Sequence, residues 1–321
     1  MIFDTQIEKM YRAQMFSRQE MLPTVFYFSY ESFRGLNREP YLFRAISGHF
    51  LQGYFYFYDA PAKDRLVVFD HGMGAGHRAY MREIERLARA GYLVFTYDHT
   101  GCVESEGEST CGFAQSLSDL DACIRALKAE PTLANRSLSV VGHSWGAFAC
   151  LNITALHPEI THVVALSGFI SVKKILEQNF KGIMKPYRKH LFALEKETNP
   201  NYAEYDAVTT LKNTTAKVLL IYSSNDTLVD KTTHFDTLYK ALTDQENIRF
   251  LLVDEKGHNP NYTVDAVRYM KYFFDIMKKK MKAHELDDDK MQYAFKKSFD
   301  WDRMTAQDED VWAEILGALR A

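Results

Sequence analysis

Six short apolar runs, none of them strictly alternating with polar residues, constrain this chain more than any other feature. They are Leu66–Phe69, Tyr92–Tyr97, Leu138–Val141, Val163–Leu166, Val218–Tyr222 and Ile248–Val253. A strand with one wet face alternates apolar and polar residues, whereas a strand that is apolar throughout is covered on both faces. Helical patterns separate the runs, at about 78–90, 113–130, 146–156, 232–243 and 262–282. Strands alternating with helices predict an α/β fold, a mostly parallel sheet with helices on both faces. Ahead of them, Tyr41–Ile46 and Leu51–Tyr58 read as an antiparallel hairpin turned at Ser47-Gly48-His49, which brings the sheet to eight strands. In such sheets ligands bind beyond the carboxyl ends of the strands, so chemistry is sought there.

The run Leu138–Val141 passes straight into Gly142-His143-Ser144-Trp145-Gly146, and a helical pattern follows from Ala147 to Leu156. The G-x-S-x-G letters alone are common by chance, and a serine there can simply cap a helix. A strand before and a helix after give them weight. A turn that tight lifts the hydroxyl clear of the backbone, where a base and a substrate both reach it. Ser144 is therefore the candidate nucleophile.

A serine hydroxyl is a poor nucleophile at neutral pH and needs a base, an acid to orient that base, and donors for the developing oxyanion. Each has a candidate just after a strand. His258 follows Phe250–Val253 in the loop Glu255-Lys256-Gly257-His258-Asn259-Pro260 and is the candidate base. Among eleven histidines its rivals are His71, His99 and His143, which also lie near strand ends. Asp226 closes Ser223-Ser224-Asn225-Asp226 after the strand Lys217–Tyr222 and is the candidate acid, with Asp230 as its rival. The loop His71-Gly72-Met73-Gly74-Ala75-Gly76 follows Leu66–Phe69. Its glycines allow close backbone approach, but it has neither the Lys-Ser/Thr of a P-loop nor dinucleotide-type spacing. Beside a nucleophile elbow it points to the backbone N–H groups of Met73 and Trp145 as the oxyanion donors.

The order Ser144, Asp226, His258, with the glycine loop upstream, resembles that of the α/β-hydrolase fold over about residues 41–282. His71-Gly72-x-Gly is similar to the loop of that fold's monoacylglycerol-lipase and serine-aminopeptidase branch. Tyr97-Asp98-His99-Thr100-Gly101-Cys102-Val103-Glu104-Ser105 is similar to its D-x-x-G-x-G-x-S segment, with Val103 where a second glycine is usual. The resemblance implies a serine hydrolase working through an acyl-enzyme, without a cofactor or metal. A nucleophilic serine sets it apart from members of the fold that use aspartate.

The expected organisation is an N-terminal helical extension (1–40), a core of 41–168 and 213–282, a cap inserted after the sixth strand (169–212), and a C-terminal helical appendage (283–321). Within the extension, residues 1–22 read as one amphipathic helix with Ile2, Phe3, Ile7, Met10, Tyr11 and Met15 on one face, broken by Pro23. The cap carries Lys173, Lys174, Lys181, Lys185, Arg188 and Lys189, either a basic rim for an acidic substrate or a solvated face. Its aromatics line a pocket or form its own small core. A net charge near −3 gives no pull toward nucleic acid or an anionic membrane. No run reaches membrane-spanning length and no signal segment opens the chain, so a cytoplasmic protein with reduced cysteines is expected. The expected substrate is a small-molecule acyl ester. Two other readings stay open: an amidase or peptidase using the same three residues, and a catalytically silent binding protein. The oligomeric state is not legible.

Overall fold

The computed structural model describes residues 2–59 and 64–320. One eight-stranded sheet organises them. Its strands are β1 (Asn37–Arg44), β2 (Phe50–Phe57), β3 (Arg65–Asp70), β4 (Leu93–Tyr97), β5 (Ser137–His143), β6 (His162–Leu166), β7 (Lys217–Ser223) and β8 (Ile248–Val253). The spatial order is β1-β2-β4-β3-β5-β6-β7-β8. β2 runs antiparallel to both its neighbours and every pairing from β4 to β8 is parallel. All six apolar runs are strands. The four central ones, β3 to β6, are buried almost end to end, as sheets sandwiched between helices require. The edge strands β1 and β8 keep much of their surface exposed.

The α-helices among the described residues are α1 (Ile2–Met15), α2 (Met81–Arg89), α3 (Gln115–Ala129), α4 (Trp145–Ile153), α5 (Val172–Asn179), α6 (Tyr187–Thr198), α7 (Ala207–Lys212), α8 (Phe235–Leu242), α9 (Val264–Lys282), α10 (Asp289–Lys297), α11 (Trp301–Met304) and α12 (Glu309–Arg320). One apolar layer joins the sheet to α3, α4, α8 and the segment between β6 and β7. The opposite layer packs α2 and α12 against the sheet, with Trp312 and Ile315 fully buried beside Val164 and Leu219. A third, separate core forms around Phe273, Leu286, Phe295 and Met304, with Val25 and Trp301 against it.

Two sequence expectations need correction. The first helix stops at Met15 rather than running to residue 22. The Met15 carbonyl accepts from the Gly112 N–H (2.9 Å) and the Thr110 hydroxyl (2.8 Å). Beyond it Gln19 pairs with the loop strand at Cys102. Tertiary partners thus claim the backbone well before Pro23, which no local signal foretells. Tyr11 and Met15 are buried as expected, but Met10 is 68% exposed; the side chains of Ile2 and Phe3 lie outside the described residues. The segment after residue 283 holds α10, α11 and α12, and α12 is a layer of the main core rather than an appendage to it. The insertion between β6 and β7 holds α5, α6 and α7. Its basic run is mostly engaged locally: Lys174 pairs with Glu177, Arg188 donates to the carbonyls of Phe180 and Glu177, and Lys173 lies over the Phe192 ring. The solvated-face reading fits these contacts. All four cysteines are free. Among the described residues no helix is long and apolar enough to cross a membrane.

Candidate active site

β5 ends at His143, and Ser144 forms the turn into α4 with φ 54° and ψ −110°. That is a strained backbone for any residue with a side chain. Close approach on both sides explains the flanking glycines. A Cβ at Gly142 meets the Gly146 carbonyl at 2.6 Å, and one at Gly146 collides with the Asp70 carbonyl at the end of β3. The Ser144 N–H donates to the Leu166 carbonyl (2.8 Å), so the turn is fastened to β6. Its side chain stays partly exposed.

Ser144, His258 and Asp226 come together in one row although 32 and 114 residues separate the bonded pairs. The Ser144 Oγ lies 2.7 Å from His258 Nε2, and His258 Nδ1 lies 2.7 Å from Asp226 Oδ2. The other Asp226 oxygen accepts the N–H groups of Leu228 (2.8 Å) and Val229 (3.1 Å). It therefore does the turn-capping work of an Asp in such a loop while still holding the imidazole. Asp230 is turned elsewhere, accepting from the Thr233 N–H and hydroxyl. The His258 loop is itself tied down: Ser223 Oγ accepts the Lys256 N–H, Asn225 Oδ1 accepts the Gly257 N–H, and Lys256 Nζ pairs with Asp308 (2.6 Å).

The three rival histidines have other employment. Burial, joined by the neighbouring His258, pushes the His143 pKa down to about 3. A consistent proton assignment has His143 Nε2–H donating to the His258 carbonyl (2.7 Å) and the Tyr80 hydroxyl donating to His143 Nδ1 (2.8 Å). The Tyr80 oxygen then accepts the Gly72 N–H (3.1 Å). Tyr80 and His143 thus couple the loop carrying Met73 to the loop carrying His258. His71, fully buried, is likewise pushed down to about 3, mainly by desolvation. Burial also works against protonation of His99, but Asp70 and Asp119 outweigh it and lift its pKa to about 9. It is a buried cation between two carboxylates, with its ring 4.7 Å from that of Trp145.

Met73 sits in the loop after β3, and Trp145 is the first residue of α4. Neither backbone N–H donates to a protein acceptor among the described residues. The far end of the glycine loop is anchored by Asp98, whose Oδ1 accepts both the N–H and the Nδ1–H of His77 (2.8 Å each). Gly76, at φ 68°, is packed so close to that carboxylate that no Cβ fits. Val103 holds the position where a glycine is usual at φ 40°. For a β-branched residue such a conformation costs about 1–2 kcal/mol. Arg18, donating to the Val103 carbonyl, and Gln19, accepting its N–H (3.0 Å), hold it there from the N-terminal segment. Tyr80 and the Asp98–His77 anchor are residues that sequence reasoning missed; His143 it placed beside the site, shaping it rather than acting as base, without its role as a spacer.

A family model described as serine aminopeptidase, S33, matches residues 61–205. The match takes in Met73, Ser144 and Trp145 and stops short of Asp226 and His258. An esterase of Pyrococcus furiosus superposes with a TM-score of 0.59 at 20% identity, over 84% of this chain and 97% of its own. A candidate dienelactone hydrolase of Klebsiella pneumoniae superposes with a TM-score of 0.55 at 17% identity, over 89% and 98%. An α/β hydrolase of a Penicillium species gives 0.52 at 15% identity, over 69% and 91%. No curated protein matches the sequence itself. Likeness at these identities shows the architecture: the eight-stranded, mostly parallel sheet is that of the α/β-hydrolase fold.

Proposed function

We propose that this chain of α/β-hydrolase fold is a serine hydrolase that cleaves a carboxylic ester through an acyl-enzyme. One observation carries the reading: Ser144 Oγ, His258 Nε2, His258 Nδ1 and Asp226 Oδ2 are joined by two 2.7 Å contacts at the carboxyl ends of β5, β7 and β8. His258 takes the Ser144 proton as the hydroxyl oxygen attacks the ester carbon. Asp226, its other oxygen held by two backbone N–H groups, fixes the imidazole tautomer and stabilises the imidazolium. The oxyanion is met by the N–H groups of Met73 and Trp145, which have no competing protein acceptor among the described residues. His258 then gives its proton to the departing alcohol. Water, deprotonated by the same imidazole, attacks the acyl carbon and frees Ser144. With His71 and His143 held neutral by burial, neither competes for the proton.

A second reading keeps the same residues and changes the bond. The family model is described by an aminopeptidase, so amide cleavage is the alternative. Labelling with a fluorophosphonate probe tests the common step: wild type is labelled and Ser144→Ala is not. A folded wild type that resists labelling removes both readings. Para-nitrophenyl esters against aminoacyl anilides then separate them, with turnover of the esters expected.

A further inference from the structure

Beside the Met73–Gly74 backbone a cavity of about 430 Å³ opens, within the range of sites that hold small organic ligands. It reaches Asn259, the neighbour of His258, so it adjoins both loops that serve Ser144. The segment between β6 and β7, expected to cover the site, does not line it. Its walls come instead from residues 19–28, from α9 and from α11, parts of the chain outside the G-x-S-x-G machinery. The lining is mostly apolar, and Leu22, Phe26 and Phe274 keep 45%, 41% and 43% of their surface exposed. Large apolar side chains left in water around a concavity mark a surface made to be covered. Ser144 and His258 do not themselves line it, but Met73, the proposed oxyanion donor, and Asn259 do, and that adjacency favours the substrate of Ser144 as the occupant.

One charged group in this lining stands out. Arg78, partly buried and two residues beyond the glycine loop, has no hydrogen-bond acceptor, carboxylate or aromatic ring as partner among the described residues. The other ionised side chains of the wall are committed: Arg82 to Asp302 and Glu20 to Arg18. A half-buried guanidinium facing an apolar cavity without a counter-ion is matched by a ligand anion. A single guanidinium balances one negative charge, which fits a carboxylate better than a phosphate dianion. We propose that this cavity is the substrate pocket of the Ser144 reaction and that it takes an ester carrying an apolar chain with a carboxylate, paired by Arg78. The proposal rests on the serine-hydrolase reading and adds the substrate class to it.

Two matched pairs of esters test it on the intact chain. On the acyl side, mono-para-nitrophenyl suberate is set against para-nitrophenyl octanoate. On the alcohol side, the acetate of omega-hydroxyoctanoate is set against octyl acetate. Wild type is expected to favour the carboxylate member of at least one pair in kcat/KM, and Arg78→Gln to lower that preference about tenfold or more, the scale of a desolvated charge pair. Ala79→Trp, at an exposed position on the cavity wall, is the second variant. It is expected to raise KM for the long-chain esters about tenfold relative to para-nitrophenyl acetate. Absence of any carboxylate preference in wild type, or a preference that survives Arg78→Gln, overturns the proposal while fluorophosphonate labelling of wild type still stands for the hydrolase. A wild type that is neither labelled nor active on any ester sinks the hydrolase reading, and this one with it.

Discussion

Glu195 on α6 is fully buried, yet among the described residues it pairs with no cation. The Tyr11 hydroxyl of α1 donates to its Oε1 (2.5 Å), and its Oε2 accepts the N–H groups of Phe113 (2.8 Å) and Ala114 (3.3 Å) just before α3. Desolvation outweighs these bonds and pushes the carboxyl up from 4.5 to about 7. The folded chain therefore keeps a proton on Glu195 at pH values where the unfolded chain has already released it. Stability should fall as pH rises from about 4.5 and level off above about 7, by a total on the order of 3 kcal/mol from this group. Glu195→Gln keeps the volume and an oxygen to accept the amides, and removes the titration. Urea unfolding of both proteins at pH 5 and pH 8 isolates the effect, since every other titrating group is shared. Wild type should lose about 3 kcal/mol more than the variant between the two pH values. An equal loss in both would show that Glu195 is ionised throughout, and that burial does not govern it.

Other outcomes follow from the same geometry. Asp226→Asn keeps the shape but loses the charge and the tautomer control, so kcat should fall by about three to four orders of magnitude; near wild-type turnover would move the acid's role elsewhere. Tyr80→Phe strands the Gly72 N–H and His143 Nδ1, and a loss of about 1–3 kcal/mol is expected. It should appear in kcat more than in KM because the coupled loops carry Met73 and His258, and steady-state kinetics on one para-nitrophenyl ester will show which. Trp312→Ala empties a fully buried site between α12 and the sheet, and thermal unfolding should register about 3–5 kcal/mol. A shift of less than one kilocalorie would mean that α12 is only loosely docked.

Much of this architecture was legible in the residues because its signals are local. Fully buried parallel strands must be apolar on both faces, so β3 to β7 announce themselves as uninterrupted runs, and the half-exposed edge strand β8 still reads as one. The turn at Ser144 must have glycines where Gly142 and Gly146 touch backbone, so the elbow is written in five letters. Strand ends also brought His258 and Asp226 into view, since the sheet brings its carboxyl ends together whatever the intervening length, and the place of His258 after the last strand set it apart from the other histidines. What stayed hidden depends on partners distant in the chain. Met15 ends its helix because Thr110 and Gly112 take its carbonyl. Val103 keeps a glycine's conformation because Arg18 and Gln19 grip it. His143, a plausible base on paper, becomes a neutral strut between Tyr80 and the His258 carbonyl. The cavity beside Met73 is assembled from residues 19–28 and the helices after β8, segments with no motif of their own. A motif records what a residue must be to make its own turn or strand. Packing alone decides which distant surfaces meet there, and with them the cavity and the charge that lie beside the glycine loop.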